Sequence, residues 1–258
     1  MEMSDQFSNI VRMTFALVSC VAGMAQTPPG RPQLTPEQQE QMRKAQDDRL
    51  HNDWGDLKRY RDQDAALGAP AADENRVVFM GDSITDGWIR LVPVFFQGRT
   101  YFDRGISGQT TPQMLVRFRQ DVINLHPRVV VILAGINDIA GNTGPATPEM
   151  IQDNLISMVE LAKANGIKVV LASITPAADF PWNPGTKPAN QIAAMNVWIK
   201  DYAAQYGLVY LDYYSVLADE NGAMKREFTV DGVHPNAAGY AVMGPLAEKA
   251  ISAALARE

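Results

Sequence analysis

Val77-Val78-Phe79-Met80-Gly81-Asp82-Ser83-Ile84-Thr85-Asp86-Gly87-Trp88 decides how the rest of the chain is read. Its first four residues are apolar and favour strands. A run of that kind reads as a strand buried on both faces of a parallel sheet. Gly81 then turns the chain sharply and delivers Ser83 to the strand's C-terminal edge, where open α/β sheets hold their ligands. A serine in that place is a candidate nucleophile on two conditions: something must take its proton, and something must hold the negative charge that develops.

The chain downstream alternates strands with helices. Tyr101–Arg104 reads as a second strand, and Val129–Leu133, the most apolar run, as the sheet's centre. Ile167–Leu171 and Leu208–Leu211 read as the fourth and fifth. A helix is expected from Thr111-Pro112 to near Leu125. A second begins at Thr147-Pro148-Glu149, with Ile151, Leu155, Met158 and Ala162 at helical spacing. A third carries Ile192, Met195, Ile199, Tyr202 and Tyr206 on one face and stops at Gly207, and a last runs from about Ala237 to Leu255. Spacings of this kind suit right-handed crossovers, so the expected fold is a three-layer α/β/α sandwich around a five-stranded parallel sheet.

Composition bounds the partners. The 258 residues are 46% hydrophobic and 20% charged, enough for one good-sized core plus an N-terminal appendage. A formal net charge of -6 weighs against nucleic acid or an anionic membrane as partner. Cys20 is the one cysteine, so an intramolecular disulfide is excluded, and no Cys/His spacing suggests zinc. No metal and no cofactor are expected.

Residues 13–25 form an apolar run too short to span a bilayer, with the length of a signal-peptide core. Gly23-Met24-Ala25 offers a cleavage site; Leu17-Val18-Ser19-Cys20 resembles a lipoprotein box that would make Cys20 a lipidated first residue. Both routes imply export, and the sequence does not separate them. The expected organisation is a signal over 1–25, a proline-rich linker over 26–36, a helical extension over 37–70 and the main domain over 71–258. Within the extension, Thr35-Pro36-Glu37-Gln38 has the form of a capping box, and its helix is expected to continue to about Ala66, stopped by Gly68 and Pro70.

If Ser83 is a nucleophile, its base is one of three histidines. His51 lies on a polar helix and reads as solvated. His126 sits before Pro127 at a helix end, on the wrong edge of the sheet. His234, in Asp231-Gly232-Val233-His234-Pro235-Asn236, has a carboxylate three residues away in a tight turn. Asp231 there can fix the ring's tautomer and stabilise the imidazolium. Asn236 can cap the last helix, and both roles are compatible. Three donors stand ready for an oxyanion: the Ser83 N–H, the Gly108 N–H after strand two and the Asn137 amide after strand three. Asp82, Asp86 and Asp138 flank these positions and are expected to bond local backbone or tune polarity. Trp88 and Trp182 are candidates for lining a substrate pocket.

Four stretches together resemble the SGNH, or GDSL-type, hydrolases: Gly81-Asp82-Ser83-Ile84-Thr85, Arg104-Gly105-Ile106-Ser107-Gly108, Gly135-Ile136-Asn137-Asp138 and Asp231-Gly232-Val233-His234-Pro235. They come in the family's order and cover residues 76 to about 255. Asp103 departs from it, since many members have Asn there. The resemblance implies a flavodoxin-like sandwich and metal-free ester hydrolysis through an acyl-enzyme. The Gly-x-Ser-x-Gly signature of the common α/β-hydrolases is absent around Ser83, which excludes that family. The expected substrate is a small-molecule or polysaccharide ester with a short acyl group, such as acetyl on carbohydrate. Two alternatives stay open: a lysophospholipase or thioesterase acting on lipid acyl groups, and a silent carbohydrate-binding module on the same fold. No dinucleotide or P-loop fingerprint supports nucleotide or flavin binding.

Overall fold

The computed structural model describes residues 35–257, and in it five strands form one parallel sheet. The strands are β1 (Val77–Gly81), β2 (Tyr101–Gly105), β3 (Val129–Leu133), β4 (Lys168–Ala172) and β5 (Val209–Leu211), in the order β2-β1-β3-β4-β5. β3 is central, as its composition implies, and all five of its residues are buried. Gly81 pairs with Gly105 on one side and with Leu133 on the other. Three strands therefore end level, and the loops after them leave side by side. This register puts three stretches of sequence at one edge.

The chain divides into two units, residues 1–44 and 45–258. In the first, the described part is the opening of helix α1 (Pro36–Asn52), where Thr35 and Gln38 make the reciprocal bonds of a capping box. The stretch 1–25 expected to be a signal, Cys20 within it, and residues 26–34 of the expected linker lie outside the described residues. In the second unit follow α2 (Arg61–Leu67), α3 (Ser83–Leu91), α4 (Thr111–Asp121), α5 (Ile136–Ile139), α6 (Pro148–Ala164), α7 (Ala189–Gln205), α8 (Tyr214–Leu217) and α9 (Ala237–Leu255).

Right-handed crossovers from β1 leftward to β2 and from β2 back to β3 put α3 and α4 on opposite faces of the sheet. α9 packs on β3, β4 and β5 and meets α3 through stacked Trp88 and Tyr240 rings, 5.2 Å between centroids. α4 packs with α6, whose Ile151, Leu155, Met158 and Ala162 are all buried. The first turn of α3 lies directly on the end of β2. A Cβ at Gly105 would come within 2.1 Å of the Asp86 backbone nitrogen, so only glycine permits this approach.

Three expectations are corrected. The helix of the 37–70 extension does not run to Ala66; α1 ends at Asn52 and α2 resumes at Arg61. Asp53 causes the break. Its carboxylate accepts from the Leu57 and Lys58 amides, closing a turn in which Asp56 takes φ 53°. The helix begun at Thr111 ends at Asp121, and a separate 3₁₀ turn carries Ile123–Leu125 before left-handed His126, φ 50°. Tyr206 is 48% exposed rather than part of the α7 apolar face, because α7 ends one residue before it.

Candidate active site

Asp82, the N-cap of α3, accepts the Ile84 amide at 2.9 Å and so starts the helix at Ser83. Ser83 thus stands at the N-terminal, electropositive end of a nine-residue helix, and its own N–H has no partner within that helix. Across the gap, the loop before α9 is tied into a small knot. Thr229 Oγ1 donates to the His234 carbonyl and accepts the Gly232 amide. Asp231 Oδ1 accepts the Val233 and His234 amides at 3.1 and 2.9 Å. Asn236 accepts the Gly239 amide and caps α9. The loop is therefore both a helix cap and a rigid mount for an imidazole.

The mount brings the His234 Nε2 to 2.9 Å from Ser83 Oγ, with Nδ1 2.8 Å from Asp231 Oδ2. A Ser–His–Asp relay spanning 151 residues of sequence is complete in hydrogen-bonding terms. Partial burial raises the Asp231 pKa, but the bonds from the His234 ring and amide outweigh it and hold the carboxyl well below the usual carboxylate range. Asp231 thus stays an anion facing Nδ1, which favours the tautomer with its proton on Nδ1 and leaves Nε2 as the acceptor facing Ser83 Oγ.

Gly108 and Asn137 face the same opening. Gly108 has φ 82°, a conformation suited to glycine, in the loop after β2. Asn137 is buried in α5, directly after β3, and its Nδ2 donates to the Gln109 carbonyl at 3.0 Å. Ser83, Gly108, Asn137, Trp182 and His234 line one cavity of about 360 Å³. Trp182 is 43% exposed, with its ring centroid 5.9 Å from that of His234.

Trp88 is a correction. It does not line the cavity; it is 2% exposed and stacks on Phe95 at 4.4 Å, within a cluster that includes Phe79, Phe96 and Tyr213. Its place in α3 turns it toward the sheet. His51 and His126 are exposed and away from the cavity; His51 Nδ1 bonds the Asp47 carbonyl.

The flanking carboxylates separate by environment. Burial pushes Asp82 up to about 7, against the Ile84 amide bond. Burial also raises Asp138, which accepts the Thr111 amide and, at 2.6 Å, its hydroxyl. Asp86 instead accepts from the Ser107 hydroxyl at 2.6 Å and pairs with Arg90 and, at 3.7 Å, Arg59. Among the described residues, no three His, Cys, Asp or Glu cluster as a metal site.

Several supporting residues are not among those singled out from sequence. Arg117 is fully buried and joins Gln109 Oε1, Asp121 and the Gly81 carbonyl. Gln109 reaches on to the Gly55 carbonyl, and the Tyr60 hydroxyl donates to the Gly105 carbonyl. The segment after α1 thereby braces the loop that carries Gly108. Asn142 bonds Gly108, Asn137 and Trp182. Its signal in the sequence was the Gly141-Asn142-Thr143-Gly144 turn, so close behind Asn137 that the turn must return to it.

Residues 79–242 match the model of the GDSL-like lipase/acylhydrolase family. The chain belongs to that family. A solved GDSL-like lipase of Bacteroides thetaiotaomicron is 48% identical, covers 78% of this chain and all of its own, and superimposes with a TM-score of 0.77. A Bacteroides fragilis protein described as an acylhydrolase is 50% identical over 80% of this chain and 100% of its own, with a TM-score of 0.78. An acetylxylan esterase of Xylanibacter ruminicola is 26% identical over 223 residues, covering 72% of this chain and 45% of that enzyme. The chain thus spans about half the length of the curated relatives first matched. The SGNH-type sandwich and the hydrolase family expected from the four sequence stretches are both met.

Proposed function

We propose that this chain is a carboxylic ester hydrolase in which Ser83 is the nucleophile, His234 the general base and acid, and Asp231 its orienting carboxylate. The observation that carries the reading is the unbroken relay from Ser83 Oγ through the His234 ring to Asp231, at 2.9 and 2.8 Å. Ser83 Oγ attacks the ester carbonyl carbon as its proton passes to His234 Nε2. The carbonyl oxygen gains the negative charge and is held by the Ser83 N–H, the Gly108 N–H and the Asn137 amide. As the tetrahedral centre collapses, the C–O bond to the alcohol breaks, and His234 gives its proton to the departing oxygen. Water then repeats the sequence on the acyl-Ser83 ester and releases the acid. General-base assistance of this kind is typically worth ~10²–10⁴-fold, and each oxyanion donor about 10²–10³-fold.

For substrate we infer a short acyl group, with acetyl on a carbohydrate as the leading candidate. The exposed Trp182 ring beside His234 suits the face of a sugar, and the acetylxylan esterase relative fits the same chemistry. A series of p-nitrophenyl esters from C2 to C12, read beside acetate release from acetylated xylan, tests it. Greatest kcat/KM at C2 with acetate release is the expected result. A maximum at C8 or beyond would favour lipid acyl hydrolysis instead. Export, by cleavage after Ala25 or lipidation at Cys20, belongs to the same reading and rests on residues 13–25.

A further inference from the structure

We infer that Asn142 is a positioning residue that sets the orientation of the oxyanion donors and joins them to the Trp182 wall of the cavity. This rests on the esterase reading above. Asn142 is exposed at the cavity, yet every polar atom of its side chain is engaged. Its Nδ2 donates to Asn137 Oδ1 at 2.9 Å and to the Gly108 carbonyl at 3.1 Å. Its Oδ1 accepts from Trp182 Nε1 at 3.0 Å. Two N–H groups and one carbonyl thus bond three residues that all line the site.

The chemistry of an amide explains why this matters. Asn137 contributes to an oxyanion hole only if its NH₂ end, not its carbonyl end, faces the reacting oxygen. The two ends have nearly the same shape, so packing does not select between them. Asn142 does: by donating to Asn137 Oδ1 it ties down the carbonyl end, while the Gln109 carbonyl accepts from the NH₂ end. Both contacts enforce the same orientation, and one N–H of Asn137 remains for the substrate.

The perch of Asn142 is itself fixed. Its backbone N–H donates to the Asn137 carbonyl at 3.0 Å. Gly141 and Gly144 flank it with φ of 74° and 106°, which lets the loop fold back. Thr143 Oγ1 lies 3.0 Å from Thr110 Oγ1, and Asn183 Nδ2 donates to the Ala140 carbonyl. A substrate packed against Trp182 therefore presses on a residue directly bonded to the oxyanion donors.

Asn142→Ala and Asn142→Asp distinguish this from a surface contact. Ala removes the orienting donor. Asp replaces it with an acceptor facing two carbonyl oxygens, which favours the flipped Asn137 amide and should be worse. The expected result is a kcat loss of about tenfold or more for Ala, set by the ~10²–10³-fold worth of a whole donor, and a larger loss for Asp. Tm and KM for p-nitrophenyl acetate should hold, while a boronic acid that forms a tetrahedral Ser83 adduct weakens in step with kcat/KM. Retention of kcat within twofold in both variants, or a loss that follows Tm, overturns the assignment. Ser83→Ala run alongside separates the two claims. If it is inactive while Asn142→Asp is fully active, only the Asn142 role falls; if Ser83→Ala stays active, the esterase reading falls.

Discussion

Asp231→Asn offers the sharpest change for the least disturbance. The wild-type carboxylate uses Oδ1 for the Val233 and His234 amides and Oδ2 for His234 Nδ1. In the variant the single carbonyl oxygen best keeps the two backbone amides, since an NH₂ there would face two donors. The NH₂ then points at Nδ1, which must give up its proton to accept. The proton moves to Nε2, the nitrogen 2.9 Å from Ser83 Oγ. An imidazole in that tautomer donates to Ser83 and cannot take its proton. In a triad of this design the exchange costs roughly 10⁴ in rate, about 5.5 kcal/mol of transition-state stabilisation. The loop should survive, because its backbone bonds are kept and Thr229 still ties it to the His234 carbonyl. The assay is kcat/KM on p-nitrophenyl acetate beside Tm. A variant within tenfold of wild-type activity, folded normally, would refute the tautomer reasoning.

The other expectations follow from separate parts of the molecule. Gly108→Ala places a Cβ at φ 82° with Asn142 Nδ2 3.9 Å away, so the cost is backbone strain of ~1–3 kcal/mol, read as at least a tenfold fall in kcat with KM little changed. Trp88→Ala opens the aromatic cluster and should cost about 3–5 kcal/mol in denaturant unfolding, whereas Trp182→Ala should leave stability alone and raise KM. Burial pushes the Asp103 carboxyl up to about 7, so the native state keeps a proton that the unfolded chain has lost. This stability is full below the unfolded value of about 4 and is lost as pH rises through about 7. Asp103→Asn cannot ionise, so its Tm should gain on wild type as pH rises through that window; parallel Tm–pH curves would contradict this.

How far the sequence could be read follows from where the information lies. Strands buried on both faces advertise themselves, and β3 at the centre was legible from five consecutive apolar residues. Ser83, Gly108, Asn137, Asp231 and His234 were legible because each sits in a short local pattern just after a strand or before a helix, and the shared register Gly81↔Gly105 and Gly81↔Leu133 brings the first three to one edge. The break at Asp53 was not legible, since the surrounding polar residues all tolerate a helix and only a side-chain bond to Leu57 and Lys58 ends it. Trp88 is a related case. Nearness in sequence to Ser83 says nothing of direction, and five residues along α3 turn its ring into the core. Buried Arg117 was hidden because a charge carries no apolar period: its i,i+4 partner Asp121 on α4 and Gln109 just before it look like a solvated helix face, and only the Gly81 carbonyl, 36 residues away, marks it as buried.

The central claim is that the Ser83 hydroxyl is made nucleophilic by a ring supplied from the far end of the chain. Mapping the adduct after treatment with a fluorophosphonate tests it most directly. One modified peptide is expected, carrying the adduct on Ser83, with hydrolytic activity lost in proportion and labelling slowed at least a hundredfold in His234→Ala, on the scale of ~10²–10⁴ for general-base assistance. Ester hydrolysis that survives stoichiometric labelling of Ser83, or labelling that is indifferent to His234, would contradict it.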